Sequence, residues 1–436
     1  MTNATAPLKA FTEDAQTGPF GSQLHSGEYI EGGIPVINPS NIKDGRLIAD
    51  QSSTVSTETA IRLKVHRLRA GDLVFARRGE LGRAAVVSKE EEGWLCGTGS
   101  IRVRANHDQL DPHFAGYALQ SAEIRSYFTQ RAVGSTMGNL NTSIVLGAPV
   151  PIVPLEEQRR IADFLNAETT RIDGLVNAKQ RVLDRLAERR TAGVVAAVSG
   201  GEHTERREST LAWLESIPER WQEVRLGLLA RMGSGHTPSR SHPEWWVDCT
   251  VPWITTGEVK QVRNDRLEDL YETRENISEL GLANSAAELH PMGTVFLCRT
   301  AASAGYSGVM GSDMATSQDI VTWTCGPRLN PYYLLWCLRA MRPDLLGRLA
   351  MGSTHKTIYV PDLQMLRVPL PSLEEQREIV ESIRQQHSRI DSLTDKVRRQ
   401  IELLTERRQT LITAAVTGEF DVSTASGRHV ADGVTA

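Results

Sequence analysis

Two stretches of the chain place apolar residues at alternating steps of four and three. From Ile161 the steps land on Leu165, Glu168, Ile172, Leu175, Lys179, Val182, Leu186, Arg189 and Gly193, and six of these ten positions are apolar. From Ile379 they land on Ile383, Gln386, Ile390, Leu393, Val397, Gln400, Leu404, Arg407 and Leu411, and seven of ten are apolar. A 3-4 spacing held this long predicts two helices, each with a coiled-coil seam. About 45 residues at a rise of about 1.5 Å would span nearly 70 Å. The polar interruptions coincide, Glu168 with Gln386 and Arg189 with Arg407, as expected of seam residues that fix register and partner choice. Pro154 and Ser372 precede the acidic first turns, with Ser372 and Glu375 in capping-box form, and Gly200 and Gly418 follow the last turns as stops.

The two helical stretches are one text written twice without a gap, at an offset of 372 − 154 = 218. They share LEEQR (155–159, 373–377), RID (171–173, 389–391), ERR (188–190, 406–408) and AAV-x-G. Weaker echoes keep the same order. Gly134-Ser135-Thr136 matches Gly352-Ser353-Thr354, Ile34-Pro35-Val36-Ile37 resembles Val251-Pro252-Trp253-Ile254, the 71–77 run resembles 293–299, and Asp111-Pro112 resembles Asn330-Pro331. A repeat on the scale of a domain plus a helix indicates tandem duplication rather than a solenoid.

The regions outside the helices, 1–153 and 217–371, are rich in Gly, Pro, Thr and Asn. Short β-branched runs (IPVIN, DLVFA, AAVVS and IRVR; VPWIT, TVFLC and DIVTW) predict strands. Single helices are expected at 112–130 and 331–349, a polar linker at 201–216 and a frayed tail at 419–436. The fold class expected is α+β, two similar mixed domains alternating with two long helices.

Composition excludes several functions. The 436 residues, 40% apolar and 23% charged, suit two soluble domains. No stretch approaches a membrane span and the N-terminus lacks a signal core, so a cytoplasmic location is expected. Five scattered cysteines (Cys96, Cys249, Cys298, Cys325, Cys337) form no C-x-x-C pair, which predicts free thiols, and no bound metal is expected. The net charge of −4 does not advertise DNA binding. Arg62, Lys64, Arg67, Arg69, Arg77, Arg78, Arg83, Arg102 and Arg104 nevertheless crowd the first domain.

Candidate catalysis is thin. Asn330-Pro331-Tyr332-Tyr333 imitates an adenine-methyltransferase motif, but Asp111-Pro112-His113-Phe114 occupies the equivalent place, and both have the form of an N-cap followed by proline. No S-adenosylmethionine loop and no Walker loop are present. Asp72 and Glu80 with Arg83 are a poor nuclease site, and Thr294 replaces Asp72 in the second copy. No catalytic residue is expected.

These motifs, with T-G-P-F-G-S (17–22), G-H-T-P-S-R (235–240) and the W-W…V-P-W-I-T-T-G-E run (245–258), resemble the DNA-specificity subunit of type I restriction-modification systems over nearly the whole chain. The resemblance implies recognition domain one at 1–153, spacer helix one at 154–200, the 201–216 linker, recognition domain two at 217–371 and spacer helix two at 372–418, with the helices antiparallel about a pseudo-twofold. It implies a non-catalytic chain whose domains each read half of a bipartite double-stranded DNA target. The partners implied are two methyltransferase subunits and the restriction-translocase subunits, which would bind S-adenosylmethionine, ATP and Mg; this chain would bind no cofactor. On this basis the DNA contacts expected are Ser22, Gln23, Asn41, Lys43, Arg77, Arg78 and Arg83 in domain one, and His236, Thr237, Arg240, Thr256, Lys260, Arg299 and Gln318 in domain two. Arg77 and Arg299 lead, because each closes an apolar strand at the same place in the repeat. Trp245, Trp246 and Trp253 are expected to pack the core or loops. Glu157, Gln158, Arg159, Glu375, Gln376 and Arg377 are the expected methyltransferase dock. One departure is that the entry Ile217-Pro218-Glu219-Arg220-Trp221 has no copy in domain one, so its first strand is expected to be abbreviated or supplied differently. A coiled-coil adaptor that binds protein, and a fused methyltransferase or nuclease with a decayed motif, stay open as alternatives.

Overall fold

The computed structural model describes residues 4–43, 45–79, 82–132, 139–351 and 357–424. Both GST segments, Glu80 and the last twelve residues of the expected tail lie outside them. The chain divides into two compact units, Met1–Gln180 with Arg398–Ala436, and Arg181–Val397. The division falls inside both long helices, so each unit holds one globular domain and part of each helix.

In the first unit the main sheet runs, in spatial order, Thr12–Thr17, Ser100–Ala105, Leu73–Ala76 and Ala84–Val86, all antiparallel. Leu73–Ala76 is a continuous apolar run because both its faces are covered. Leu73 and Phe75 join Ile101, Val103, Phe114 and Phe128 with Ile161 and Leu165 of the first long helix and Ile412 and Val416 of the second. Val74 and Ala76 pack on Ile37, Ile42 and Cys96. A smaller sheet sets Ile34–Ile37 parallel to Leu95–Cys96.

The second unit repeats the plan. Ala230–Ser234, Ile320–Cys325, Val295–Cys298 and Ser307–Met310 keep the order, and Asp269–Leu270 adds a parallel edge strand. Val295, Leu297, Val321 and Trp323 pack against Leu334, Leu338, Val194, Val198, Val380 and Ile383, so both long helices close this core as well. Val251–Ile254 lies parallel to Ala315–Thr316, as Ile34–Ile37 does to its partner.

Two sequence expectations change, and a third, the abbreviated opening strand of domain one, takes a definite form. The single helix at 112–130 is two, Pro112–Ala118 and Ala122–Arg131, because Ser121 starts a new N-cap on the Ile124 N–H. Its counterpart stays one element, Pro331–Asp344, running into a wider π turn at Leu345–Leu349 just after Pro343. The segment 201–216 is ordered. Arg206–Glu208 pairs with Ser216–Pro218, and Leu211 and Leu214 are buried with Ile217 and Trp221. The opening strand of domain one is present but short, Thr5–Pro7 on Pro149–Pro151, where domain two pairs Gln222–Arg225 with Arg367–Leu370.

The long helices are Leu155–Val198 and Leu373–Thr417, 44 and 45 residues. Gly200 and Gly418 take positive φ beyond them (68° and 81°), the left-handed C-terminal stop for which glycine is suited. The capping box forms, with the Ser372 N–H donating to Glu375 and the Glu375 N–H to Ser372 Oγ. The helix segments run antiparallel within each unit. In the first, Arg408 Nε donates to Asp173 at 3.1 Å and Lys179 Nζ to Gln400 at 2.6 Å. In the second, Arg190 Nη1 donates to Asp391 at 2.7 Å, and a Cβ added to Gly193 would stand 2.4 Å from Gln386 Nε2. The seam is dry toward the domains, where Ile161, Leu165, Ile172, Ile383 and Ile390 are buried. Leu175, Val182 and Leu393 remain 44%, 45% and 48% exposed. Two helices cover only one stripe of each other, so mid-seam residues beyond the domain cores keep open flanks. No helix among the described residues is long and apolar enough to cross a membrane.

Candidate nucleic-acid interface

Each of the two globular domains carries the same construction at one end of its main sheet. A glycine lets the loop after the first strand cross the chain entering the central strand. A Cβ on Gly18 would lie 1.8 Å from the Gly97 carbonyl oxygen, and one on Gly235 2.0 Å from that of Thr316. The crossings are fastened by Gly18 N–H to Ser100 O (3.0 Å) and His236 N–H to Thr316 O (2.9 Å). The arginine closing the next strand completes the group: Arg77 N–H reaches Gly99 O and Arg299 N–H reaches Asp319 O, both at 2.9 Å.

In domain one the loop after Gly18 leaves Ser22 and Gln23 exposed. Gln23 Oε1 accepts from the Phe20 N–H (3.0 Å), and its carbonyl accepts from Arg62 Nη1 (2.7 Å). Arg62 also pairs with Glu28, whose carboxyl is held below its usual range by the His25 backbone N–H and by that guanidinium. Lys43 and Arg78 are exposed and Arg77 is half-buried. Arg77 donates from Nε to Leu140 O at 3.1 Å, and Arg83 from Nη1 to Ile42 O at 3.2 Å. Asn41 is buried, accepting from the Asn38 N–H and donating to Ile48 O. Its amide holds the Ile42–Leu47 hairpin together, so the expectation that it reads bases is corrected.

In domain two Thr237 Oγ1 donates to Gln318 Oε1 at 2.6 Å, and Arg299 Nε to the Gln318 carbonyl at 3.0 Å. Three of the expected contacts therefore form one cluster. His236, Arg240 and Lys260 are exposed. The half-buried Thr256 uses its carbonyl to accept from Ser303. Trp253 is buried, as expected of a packing residue. Trp246 meets it edge to face at 5.9 Å and carries the Arg240 guanidinium 4.5 Å above its ring, a relationship with no periodic signal in the sequence.

The basic crowd of domain one is partly neutralised from within. Arg102 is buried and pairs with Asp14, and Arg104 holds Asp72 through two bonds at 2.9 and 2.8 Å. The poor nuclease imitation dissolves here, since Asp72 also accepts from the Arg69 N–H. Among the described residues no group of three His, Cys, Asp or Glu side chains could hold a metal. Asn330 and Asp111 both serve as N-caps, accepting from the N–H groups two and three residues on.

The expected dock is largely internal. Gln158 accepts from the Asp111 N–H and donates to Gln109 O and Val153 O. Gln376 repeats this with the Asn330 N–H, Arg328 O and Pro371 O. Both side chains are buried, 2% and 0% exposed, and their role is corrected to fastening each helix start onto its domain. Glu157 is half-buried. Glu375 engages Arg220 and Trp221; burial would raise its carboxyl, but the Ser372 N–H and Arg220 hold it below the usual range. Arg159 and Arg377 alone of the six are exposed.

The model of the type I restriction modification DNA specificity domain matches residues 23–183 and 218–403. The MjaVIII specificity subunit of Methanocaldococcus jannaschii is 21% identical over 91% of this chain and 88% of its own length. The EcoBI specificity subunit of Escherichia coli is 22% identical over 73% and 68%. Two solved structures share the fold at 20% identity. One, from work on assembly and conformational transition of the type I R-M system, has a TM-score of 0.70 and covers 96% of this chain and 98% of that one. The HsdS subunit of Thermoanaerobacter tengcongensis has 0.55, covering 95% and 97%. With the specificity-domain model matched once in each of its two copies, this chain belongs to the family of type I restriction-modification DNA specificity proteins.

Proposed function

We propose that this chain is the sequence-reading subunit of a type I restriction-modification complex and that each recognition domain reads one half of a bipartite duplex target. The observation that carries this is the paired construction: two loop crossings built alike at Gly18 and Gly235, lined with different polar residues. Arg, Gln, Ser and Thr side chains there suit base edges and phosphates. Diverged copies let one polypeptide read two different half-sites, where a symmetric dimer reads two alike. As a specificity subunit the chain is non-catalytic. S-adenosylmethionine, ATP and Mg would be bound by the partner subunits, with an adenine in each half-site flipped out for methylation. The helices would set the spacing and dock the methyltransferase and motor-nuclease subunits.

The test is to assemble the chain with its methyltransferase subunits, offer a pool of randomised duplexes and sequence the methylated adenines. A two-part motif with an indifferent gap is expected. Methylation without sequence preference would instead favour an assembly adaptor, and methyl transfer by the chain alone would refute the non-catalytic assignment.

A further inference from the structure

The glycines 18 and 235 differ by 217, and the same step carries Gln23 onto Arg240. Both residues are exposed, yet both are held. Gln23 has its side-chain Oε1 engaged by the Phe20 N–H of its own loop, leaving Nε2 to donate. Arg240 lies over the Trp246 ring, and among the described residues no carboxylate pairs with it. Trp246 is itself fixed, edge-on to buried Trp253 and donating from Nε1 to Ser239 O at 3.3 Å. Beside it, Trp245 stacks on His242 at 4.2 Å, and its carbonyl accepts from Ser278 Oγ.

An exposed arginine ordinarily samples many rotamers and loses that freedom on binding. A guanidinium held over an indole ring has given up part of it beforehand and keeps N–H groups available. A phosphate needs only a charge in reach, whereas a guanine edge, with O6 and N7 side by side, needs a fork in a fixed plane. We propose that Arg240 reads a guanine in the half-site of domain two, and that Trp246 is the positioning residue that fixes its plane. This rests on the DNA-reading function proposed above. Gln23, with its acceptor occupied, gives domain one a different reading chemistry at the same position.

The test uses the chain assembled with its methyltransferase subunits and a randomised duplex pool, comparing wild type with Arg240→Lys, Trp246→Ala and Trp246→Phe. Arg240→Lys keeps the charge and loses the fork. It is expected to relax preference at one G·C pair of one half-site by roughly ten- to a hundredfold, with the other half-site intact. Trp246→Ala is expected to relax the same pair, and Trp246→Phe, which keeps an aromatic face, to restore it. If Arg240→Lys leaves the motif unchanged, or weakens all sequences alike with a shallower salt dependence, Arg240 is not a base reader and the inference is overturned. If Trp246→Phe fails as Trp246→Ala does, the stacking role is overturned. A wild-type complex without any motif would overturn the parent function itself, a result distinct from a motif indifferent to these variants.

Discussion

Arg408 donates to Asp173, and 218 residues away in the repeat the roles are exchanged: Arg190 donates to Asp391. The aspartates end the two RID motifs and the arginines end the two ERR motifs, so the shared words of the duplicated helices are the two halves of a reciprocal rung. Asp391 also meets Arg266 at 3.5 Å, and Arg190 reaches the Asp265 carbonyl. The Asp173–Arg408 pair is partly exposed, so a double-mutant cycle with Asp173→Asn and Arg408→Gln is expected to give a coupling of about 0.3–1 kcal/mol in urea unfolding. Asp391→Asn is expected to cost more than Asp173→Asn, because two guanidiniums lose a partner.

The buried glutamines should outweigh either ion pair. Gln158→Leu leaves the Asp111 N–H and two carbonyls without their partner, and Gln376→Leu does the same in domain two. Each is expected to destabilise by roughly 2–3 kcal/mol, since an unsatisfied buried polar group forfeits its solvation. Arg159→Ala and Arg377→Ala serve as controls and should leave the urea midpoint nearly unchanged.

Ala301 sits at φ 55°, where its counterpart two residues beyond Arg77 is Gly79 at φ 82°. Alanine tolerates that region poorly. Ala301→Gly is expected to stabilise by about 1 kcal/mol, and Gly79→Ala to destabilise by a similar amount, read as opposite shifts of Tm.

Trp336 meets His387 edge to face at 4.9 Å, where domain one has Tyr117 donating to or accepting from Thr169. Burial pushes the His387 imidazole down to about 4, helped by the charge of Arg190. The unfolded chain therefore takes up this proton near its ordinary value of about 6.5 and the folded chain does not. Stability is unaffected by this group above that value and is lost as pH falls toward about 4. His387→Gln is expected to flatten that loss, measured as the difference in urea midpoint between pH 7 and pH 5.

The rungs also define how a spacer test must be made. A heptad inserted into one helix alone would shift one strand of the coil against the other and break a rung. Inserted into both helices at facing points between the rungs, at 176–177 and 403–404, it keeps each pairing and adds about 10 Å. The methylated motif is expected to keep both half-sites and widen its gap by about three base pairs. An unchanged gap would count against the spacer role.

The amino-acid sequence by itself determined the duplication, the two long helices with their caps and stops, and the apolar strands of both main sheets. These are local or periodic signals, and each can be read within a few turns or one strand. It also carried RID, ERR and LEEQR without saying what they do. Only the tertiary structure decided that Gln158 and Gln376 are internal fasteners, that Asn41 ties a hairpin, that Arg102 and Arg104 are neutralised inside a sheet, and that Arg240 rests on Trp246. Those roles depend on partners brought together by the fold, some of them dozens to hundreds of residues away. A polar side chain is written with the same letter whether it meets solvent or fills the last hydrogen bond of a buried helix start, and only the folded chain distinguishes the two.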